Sequence, residues 1–429
     1  MKDLINKINT KKSKVGVIGL GYVGLELLLC INESKFEVFG FDVNGLKIEK
    51  LKKNIPTINT ITKKRLIKIK KNNLFDGKNI NKIHECDIII ICVPTPLTKK
   101  DKPDMSYIER SLSSIFKYLR PEQMIILEST VYPGATREIF FNKIKKNKKL
   151  SIGKNFYLCF SPERISPGKD YDIKYTEITK VISGYSSKCV KTINSFYKKI
   201  FKTVYAAKSL EDAEFTKLFE NCYRSVNIGL VNEMKIICDK LGLKIMDIID
   251  TAKTKPFGFR PFAPGPGVGG HCIPIDPLFI SWIANRHGVT SKFIDISRKT
   301  NLKITNSILK KIKNKITKKK AKLLFVGVAY KKNVDDCRES PAIQMMEKLD
   351  KDQFNISYYD PYIENINLNK KTLFFLNKLN FKQFKNYEAV IITTDHSKIN
   401  YNLILKNSKI IFDTRGVYKD SNQSKIIHC

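Results

Sequence analysis

One cysteine of the chain stands where it could act as a nucleophile. Cys272 follows the glycine-rich run Gly-Pro-Gly-Val-Gly-Gly-His at 265–271, and Asp276 comes four residues later. Because glycine has no side chain, such a loop lets the backbone and the adjacent thiol approach a bulky ligand closely. A thiolate placed there can attack a carbonyl carbon and form a covalent intermediate.

A second group of residues, near the N-terminus, has the spacing of a dinucleotide-binding turn. Asp42 ends the strand that follows the turn, as expected of a carboxylate that binds ribose hydroxyls. Because no arginine follows Asp42 to receive a 2′-phosphate, the pattern favours NAD over NADP. A hydride acceptor together with a nucleophilic cysteine suggests that an alcohol is oxidised past the aldehyde to an acid through a thioester. The residues of the turn are Gly19, Gly21, Tyr22, Val23 and Gly24.

These groups need a scaffold in which strands and helices alternate. Apolar residues at three- and four-residue spacing predict one long helix from Leu210 to Leu241, and a further helix is predicted at 296–314. The lysine-rich stretch 318–322 separates two sets of apolar runs that predict strands. The first set lies at 15–19, 36–42, 87–93, 124–128, 156–160 and 180–183, and the second at 323–328, 355–360, 389–393 and 409–413.

The sequence therefore predicts an α/β protein with two Rossmann-like doubly wound parallel sheets joined by a central helical domain. We expect an NAD-binding domain over 1–208, a helical domain with the cysteine loop and a dimer interface over 209–316, and a C-terminal α/β domain over 317–429. Such sheets bind ligands at the carboxyl ends of their strands, so Pro94 and Thr95 are expected near the cofactor.

Composition limits the class of protein. The net charge is +37, but only 11 of the 78 basic residues are arginine, which phosphate and base contacts favour. The lysines are spread along the chain with much isoleucine and asparagine, as an AT-rich genome would produce, so we expect no nucleic-acid partner. Ten scattered cysteines without a Cys-x-x-Cys pair argue against a metal site or disulfide framework and for a reducing cytoplasm. No apolar run reaches the about 20 residues of a membrane span, so no membrane association is expected.

Several motifs occur together and in one order. With them the chain resembles the UDP-glucose/GDP-mannose dehydrogenase family over essentially its whole length. Within that family it is most similar to the bacterial UDP-N-acetylglucosamine 6-dehydrogenases, a narrower match carried by 92–98 and 269–277. The motifs are Gly-Leu-Gly-Tyr-Val-Gly at 19–24, Cys-Val-Pro-Thr-Pro at 92–96, Glu-Ser-Thr-Val-Tyr-Pro-Gly at 128–134, Ser-Pro-Glu-Arg-Ile-Ser-Pro-Gly at 161–168, Lys-Leu-Phe-Glu-Asn at 217–221, the cysteine loop at 265–277, Gly-Val-Ala-Tyr-Lys at 327–331 and Asp-Asp-Cys-Arg-Glu-Ser-Pro at 335–341.

The resemblance implies a four-electron oxidation of the C6 hydroxyl of a UDP-sugar by two NAD, in the synthesis of surface polysaccharide precursors. Cys272 would capture the aldehyde as a thiohemiacetal, which becomes a thioester and is hydrolysed. Lys217 and Asn221, four residues apart on one helix face, would stabilise the developing oxyanion. Asp276 is a candidate to orient or activate water.

The resemblance also implies further site residues. Thr130 and Glu163 would position water and act as general base, and Thr130 would also lie at the cofactor. Arg260 would reach the sugar from a neighbouring subunit, which requires at least a homodimer. The sugar and the uridine diphosphate would be bound by Glu163, Lys217, Asn221, Arg260, Phe262, Gly269, Lys331, Arg338 and Arg415.

Three alternatives remain open from the sequence. The same chemistry could act on UDP-glucose, UDP-N-acetylgalactosamine, UDP-N-acetylmannosamine or GDP-mannose. A two-electron hydroxyacid dehydrogenase would not need Cys272, and a lysine-rich polyanion-binding protein would need none of the motifs. One departure from the family is Glu26, where proline is usual; we expect it to tune the affinity for NAD.

Overall fold

The computed structural model describes residues 2–165, 173–369, 371–374, 376 and 381–429. The end of the motif at 161–168, residues 166–168, lies outside the described residues. The chain forms two compact units, one of Met1–Glu220 with Leu278–Val289 and the other of Asn221–Pro277 with Thr290–Cys429. The three-domain boundaries given above stay a prediction.

The first unit is built on a sheet of eight strands, counted over the residues that the structure describes. The spatial order is β3-β2-β1-β4-β5-β6-β7-β8, and every pair is parallel except β6 with β7. The strands are β1 (Lys14–Ile18), β2 (Glu37–Asp42), β3 (Leu74–Asp76), β4 (Ile88–Ile91), β5 (Gln123–Leu127), β6 (Phe156–Phe160), β7 (Lys180–Gly184) and β8 (Val204–Ala206).

Helices cover this sheet, as a parallel sheet requires. β4 consists of four isoleucines that are all buried, because it lies in the middle of the sheet and needs apolar contacts on both faces. The helices are α1 (Lys2–Asn9), α2 (Tyr22–Glu33), α3 (Gly45–Lys52), α4 (Lys63–Leu66), α5 (Ser106–Ile115), α6 (Asn142–Ile144), α7 (Ser187–Tyr197) and α8 (Leu210–Leu241), the last of which continues into the second unit.

The second unit holds another parallel sheet, in the order β10-β9-β13-β14-β15 over the described residues, and an antiparallel hairpin of β11 with β12. The strands are β9 (Lys322–Val326), β10 (Asn355–Tyr359), β11 (Asn365–Leu368), β12 (Lys371–Phe374), β13 (Ala389–Ile392), β14 (Ile411–Asp413) and β15 (Ile426–His428). Its helices are α9 (Ile245–Ala252), α11 (Lys292–Lys315), α12 (Pro341–Lys351), α13 (Phe381–Phe384) and α14 (Tyr401–Asn407), whereas α10 (Asp276–Arg286) begins in this unit and belongs from Leu278 onward to the first.

The predicted α/β fold with two doubly wound sheets and one long helix is confirmed, and α8 has the predicted bounds. The strands β3, β8, β11, β12 and β15 were missed because each has only three or four residues and none stands out as an apolar run. The strand predicted at 409–413 begins at Ile411. Within the part of the chain that is described, we find no helix with the length and apolar content needed to cross a membrane.

Candidate active site

The turn between β1 and α2 has the shape that a dinucleotide requires. Gly19 has a φ of +90°, and a Cβ there would lie 2.6 Å from the carbonyl oxygen of Cys92. A Cβ on Gly24 would lie 1.9 Å from the carbonyl oxygen of Gly19, so this glycine allows the helix to pack against the turn. A Cβ on Gly21 would meet nothing within 4 Å, although its φ of −80° suits any residue. The open space at Gly21, beside the N-terminus of α2, fits a bound pyrophosphate.

Asp42 lies at the carboxyl end of β2, beside the same turn. One of its carboxylate oxygens accepts hydrogen bonds from the backbone N–H of Leu20 at 2.9 Å and from Lys47 Nζ at 2.8 Å, and the other accepts from the N–H of Asn44. Lys47 was missed from the sequence, where only the two residues directly after Asp42 were considered. Its position in the first turn of α3, five residues after Asp42, is the signal that could have revealed it.

The loops after β4 and β5 reach the same edge of the sheet, because the two strands are parallel neighbours. Pro94 and Thr95 follow β4, and Thr130 follows β5. Ser129 Oγ donates to the carbonyl oxygen of Val93 at 2.7 Å, which ties the two loops together. Thr95 is 3% exposed, whereas Thr130 is half-buried and therefore more open to a ligand.

A buried carboxylate on α8 holds the segment that follows Thr130. Glu214, 1% exposed, accepts hydrogen bonds from the backbone N–H groups of Gly134 at 2.5 Å and Thr136 at 2.8 Å. Burial raises the pKa of the Glu214 carboxyl to about 7, although these bonds oppose the shift. Nothing in the local sequence separates Glu214 from other helical glutamates, and it was not predicted.

Glu163 and Lys217 form an ion pair inside the first unit. Glu163 follows β6 and Lys217 lies on α8; Glu163 Oε2 is 3.6 Å from Lys217 Nζ, and both side chains are 8% exposed. The backbone N–H of Ile165 also donates to the Glu163 carboxylate. Burial raises the pKa of Glu163 to about 7, while the charges of Lys217 and Lys180 oppose the shift. A carboxylate with this pKa can exchange protons near neutral pH.

Two further ion pairs lie near Glu163, and neither was identified from the sequence. Arg164 bonds both carboxylate oxygens of Glu220 on α8, at 2.6 and 3.2 Å, and the carbonyl oxygen of Thr179 at 3.0 Å. Lys180 Nζ lies 2.8 Å from Glu128 Oε2, with both side chains almost fully buried. Glu128 and Arg164 belong to the motifs at 128–134 and 161–168, but their partners lie far away along the chain and only the fold reveals them.

In the second unit, Asn221, Asp276 and Cys272 lie together. Asn221 Nδ2 donates to Asp276 Oδ2 at 2.5 Å, and Asp276 is 2% exposed. Asp276 is the first residue of α10, and its backbone N–H donates to the carbonyl oxygen of Cys272 at 2.8 Å. The half-buried cysteine therefore lies four residues before α10, with its backbone fixed to the first residue of that helix.

The glycines before Cys272 serve mainly to pack the loop against the chain itself. A Cβ on Gly270, whose φ is +86°, would lie 2.6 Å from the ring of Tyr330, and one on Gly269 would lie 2.8 Å from the carbonyl oxygen of Glu339. From the sequence, this loop was expected to approach a bulky ligand. At these two positions the close approach is to the loop after β9, because the fold places that loop against the glycines.

Three of the expected substrate ligands follow strands of the second sheet. Lys331 and Arg338 belong to the loop after β9, and Arg338 pairs with Asp336, with Nη2 2.7 Å from Oδ2. Arg415 follows β14, and its Nε donates to the carbonyl oxygen of Thr393 at 2.9 Å. Because these strands are parallel, the loops meet at one edge of the sheet, where Rossmann-like sheets bind nucleotides.

The two remaining residues that were expected to bind the substrate, Arg260 and Phe262, precede the glycine-rich run at 265–271. Phe262 is half-buried, with its ring centroid 6.0 Å from that of Tyr223. Arg260 is exposed.

The structure thus brings the predicted residues into separate groups. In the first unit it gathers the turn, Asp42, the loops with Thr95 and Thr130, and the Glu163–Lys217 pair. In the second it gathers Asn221, Asp276 and Cys272, and separately the loops with the cationic side chains. The roles assigned to these residues stay predictions.

One face of α8 exposes apolar side chains to solvent. Their spacing of four or seven residues places them on one stripe of the helix. A row of exposed apolar side chains along one face of a helix is typical of an interaction surface. The residues and their exposed fractions are Phe215 (40%), Phe219 (62%), Tyr223 (44%), Leu230 (54%), Ile237 (43%) and Leu241 (66%).

Comparison with known proteins gives matches along most of the chain. The NAD binding domain of the UDP-glucose/GDP-mannose dehydrogenase family matches residues 13–201, its central domain matches 211–303, and its UDP binding domain matches 324–420. These three matches cover well over half of the chain and follow one another in order.

Individual relatives span nearly the same length. The chain is 34% identical to a UDP-N-acetyl-D-mannosamine dehydrogenase from Methanocaldococcus jannaschii, over 94% of this chain and 92% of that protein. It is 32% identical to a UDP-N-acetyl-D-glucosamine 6-dehydrogenase from Pseudomonas aeruginosa, over 82% and 84%. The solved structure of a UDP-D-ManNAc dehydrogenase from Pyrococcus horikoshii has a TM-score of 0.83, with 29% identity over 96% of this chain and 97% of that one.

These matches agree with the cofactor turn and with the two sheets. NAD is the cofactor that the family's N-terminal domain binds, and the open space at Gly21 accommodates it. The chain belongs to the UDP-glucose/GDP-mannose dehydrogenase family and is an NAD-dependent nucleotide-sugar dehydrogenase.

Proposed function

We propose that the protein oxidises the C6 hydroxyl of UDP-N-acetylglucosamine to the uronic acid, with UDP-N-acetylmannosamine, its C2 epimer, as the alternative substrate. The names of the Pseudomonas and Methanocaldococcus relatives support a 2-acetamido sugar. The observation that carries the four-electron chemistry is Cys272, four residues before α10, whose carbonyl oxygen accepts from the N–H of Asp276 beside the Asn221–Asp276 hydrogen bond. A two-electron dehydrogenase would have no use for a nucleophile there.

The proposed reaction runs in three parts. At each of the two oxidations C6 loses a hydride, which a bound NAD would accept, and the attached hydroxyl loses its proton. After the first oxidation the Cys272 thiol adds to the C6 aldehyde, so that a C–S bond forms and the thiol proton passes to oxygen. The second oxidation converts this thiohemiacetal into a thioester. Water then attacks the thioester, the C–S bond breaks, and the acid and the free thiol are released.

The candidate catalytic residues have distinct proposed tasks. Glu163 is the general base, since its pKa of about 7 lets it take a proton from the C6 hydroxyl or from water. Lys217 and Asn221 stabilise the negative oxygen that develops on C6. Asp276 holds the Asn221 amide in place through the hydrogen bond that the two share.

The nucleotide end of the substrate and the assembly are also part of the proposal. Lys331, Arg338 and Arg415 bind the diphosphate, and Phe262 and Gly269 line the sugar site. The exposed stripe on α8 forms a homodimer interface, and the exposed Arg260 acts on the active site of the neighbouring subunit. All ten cysteines are outside disulfides, which supports a reducing compartment such as the cytoplasm. The product is a precursor of surface polysaccharide.

The test is the amount of NADH formed from limiting UDP-N-acetylglucosamine with excess NAD, followed at the nicotinamide absorbance. We expect about two NADH per sugar, because the route contains two oxidations. Cys272→Ala should form no acid, whereas Cys222→Ala, a half-buried cysteine on α8, should behave like the wild type. One NADH per sugar would exclude the four-electron route. Turnover of UDP-N-acetylmannosamine alone would assign the epimer as substrate.

A further inference from the structure

The loop that carries Cys272 is anchored to two helices of the second unit by buried amides. The backbone N–H of Gly265 donates to Asn232 Oδ1 at 3.1 Å, and Asn232 Nδ2 donates to Asn301 Oδ1 at 2.9 Å. Asn301 Nδ2 in turn donates to the carbonyl oxygen of Ser225 at 3.4 Å. Asn232 on α8 is 0% exposed and Asn301 on α11 is 7% exposed. We call this chain of bonds the amide relay.

The two ends of the amide relay fix its direction. The N–H of Gly265 can only donate, so Asn232 must present its oxygen to it and its NH₂ group to Asn301. The carbonyl of Ser225 can only accept, so Asn301 must present its NH₂ group there and its oxygen to Asn232. Neither amide can flip without leaving two like atoms facing each other inside the protein, where water cannot compensate.

A second contact holds the next residues of the loop. Thr305 on α11, 3% exposed, donates its hydroxyl hydrogen to the carbonyl oxygen of Pro266 at 2.6 Å. A Cβ on Gly267 would lie 2.9 Å from Thr305 Oγ1, so the loop backbone rests directly on this side chain. Both α8, through Asn232, and α11, through Thr305, therefore hold the beginning of the loop by hydrogen bonds, six or seven residues before the cysteine.

The far end of the loop is held in another way. The backbone N–H of Gly270 donates to the carbonyl oxygen of Arg338 at 3.0 Å, and that of Asp276 donates to the carbonyl oxygen of Cys272. These two bonds form between backbone atoms, whatever the side chains are. The side-chain anchors at the beginning of the loop are those at Gly265 and Pro266, whereas Asp276 at its end is bonded by Asn221.

We propose that Asn232, together with Asn301 and Thr305, is a positioning residue that sets where the Cys272 thiol lies. The proposal rests on the proposed function, in which this thiol must meet the C6 aldehyde. A buried polar pair between two helices costs stability relative to apolar packing, so the relay contributes by fixing one arrangement of the loop. A shift of about 1 Å in a reacting group lowers a rate by about 100-fold.

The experiment compares matched variants of the full-length protein. Thr305→Val removes the hydroxyl bond to Pro266, and Thr305→Ser keeps it. Asn232→Leu removes the relay, and Asn232→Asp keeps the acceptor for Gly265 but sets an oxygen against Asn301 Oδ1. The control is Ser297→Ala, since Ser297 Oγ donates to the same Ser225 carbonyl at 2.8 Å without touching the loop. Amide hydrogen exchange of the segment 263–272 and steady-state kinetics are measured on each.

We expect Thr305→Val and both Asn232 variants to speed exchange in 263–272 and to lower kcat by about 10- to 100-fold, with KM for NAD within about twofold. Thr305→Ser and Ser297→Ala should match the wild type in both measurements. If Asn232→Leu does not fold, the comparison of Thr305→Val with Thr305→Ser tests the proposal. Unchanged exchange, or faster exchange with unchanged kcat, would overturn the proposal. A wild-type protein that oxidises no UDP-sugar would refute the proposed function instead. Amide hydrogen exchange of the segment 263–272 would then still show whether Asn232 and Thr305 hold the loop.

Discussion

Each unit contains a strand, a glycine turn and a second strand with an aspartate at its carboxyl end, Asp42 as the last residue of β2 and Asp360 directly after β10. Gly19 and Gly327 both have positive φ, and a Cβ on either would strike the carbonyl oxygen at the end of a neighbouring strand, of Cys92 or of Thr394. Asp42 accepts a hydrogen bond from the backbone of the first turn, and Asp360 accepts two from the backbone of the second, at 2.7 and 3.0 Å. The same backbone arrangement therefore occurs twice, and we call the pair Gly19 and Asp42 the first frame and the pair Gly327 and Asp360 the second frame.

The segment after the turn differs between the two units. In the first unit α2 begins at Tyr22, directly after the glycines, so its N-terminal N–H groups face the turn. In the second unit the chain runs from Gly327 to Pro341 before α12 begins, and this loop carries Lys331 and Arg338. The first turn thus offers a helix terminus to a phosphate, and the second offers cationic side chains.

The aspartates differ as well. Asp42 keeps Lys47, whose side chain is 26% exposed, as a partner beside solvent. Asp360 is fully buried against His396, with Nε2 and Oδ2 3.0 Å apart. The N–H of Asn333 donates to His396 Nδ1, so the neutral imidazole carries its proton on Nε2 and donates it to Asp360. Asp360 is therefore committed to structure, whereas Asp42 lies beside the half-buried Lys47 at the turn that is expected to bind the ribose.

The largest effect should come from removing the two aspartates. Asp360→Ala leaves His396 and the N–H groups of Val328 and Ala329 without their acceptor in the interior, and should lower the free energy of unfolding of the second unit by about 3–5 kcal/mol. Asp42→Ala should cost less, about 1–2 kcal/mol, because it leaves one buried donor, the N–H of Leu20, without its acceptor, while Lys47 can turn to water. Urea unfolding measures both. Equal losses would refute the difference between the two frames.

Substitutions of two glycines in the first turn should have different effects, one on NAD binding and the other on the stability of the fold. Gly21→Ala adds a methyl group in open space, so the melting temperature should stay unchanged while KM for NAD rises about tenfold or more, equivalent to about 1.4 kcal/mol. Gly24→Ala, the matched variant, forces a Cβ against the carbonyl oxygen of Gly19 and should lower the melting temperature. If Gly21→Ala left KM for NAD unchanged, the pyrophosphate would not lie at this turn.

A third prediction concerns pH and contrasts two buried carboxylates. Asp360 is surrounded by donors, whereas Glu163 has the ion pair with Lys217 and one backbone donor among the contacts described above. Because burial raises the pKa of Glu163 to about 7, the base is protonated below pH 7. kcat/KM should therefore fall about tenfold per pH unit below 7 and level off above it. Glu163→Gln should lower the rate and abolish the fall of kcat/KM below pH 7. If the variant kept this pH dependence, the titrating group would be another residue.

The contrast between the two frames also marks how far the sequence reaches. Gly19, Gly24 and Asp42 lie within one short unit whose spacing is set by local geometry, so the pattern alone identified the first turn. Gly327 and Asp360 obey the same geometry, but the long loop between the second turn and its helix hides the spacing. The strands were predicted where an apolar run stands out in the sequence, as at Ile88–Ile91, and missed where a strand of three or four residues does not stand out as such a run, as at Leu74–Asp76.

Contacts between distant segments could not be predicted from single motifs. Asn232 and Asn301 are 69 residues apart, and Lys180 lies 52 residues from Glu128. Each is an ordinary polar residue in its local sequence, and it becomes distinctive only when two helices or strands bury it against its partner. The resemblance to the family pointed to Glu163 and Lys217 for the same reason: related chains carry information on tertiary contacts that one sequence does not.

The smallest effect is expected at Glu26, the residue that departs from the family in the first frame. The expectation that it tunes the affinity for NAD assumed a carboxylate free to face the pyrophosphate. In the structure both its oxygens accept from Arg65 Nη1, at 2.7 and 2.9 Å, and Arg65 also bonds Glu33 at 2.9 Å. The charge of Glu26 is therefore balanced within the chain.

Glu26→Gln should change KM for NAD by less than about threefold, and so should Glu33→Gln, which removes the other carboxylate from the same arginine farther from the turn. Arg65→Met is the informative variant, because it leaves Glu26 uncompensated in the first turns of α2. KM for NAD should then rise by more than in either glutamine variant, and adding Glu26→Gln to Arg65→Met should restore it. A tenfold gain in NAD affinity for Glu26→Gln alone would show that the carboxylate repels the pyrophosphate in spite of Arg65.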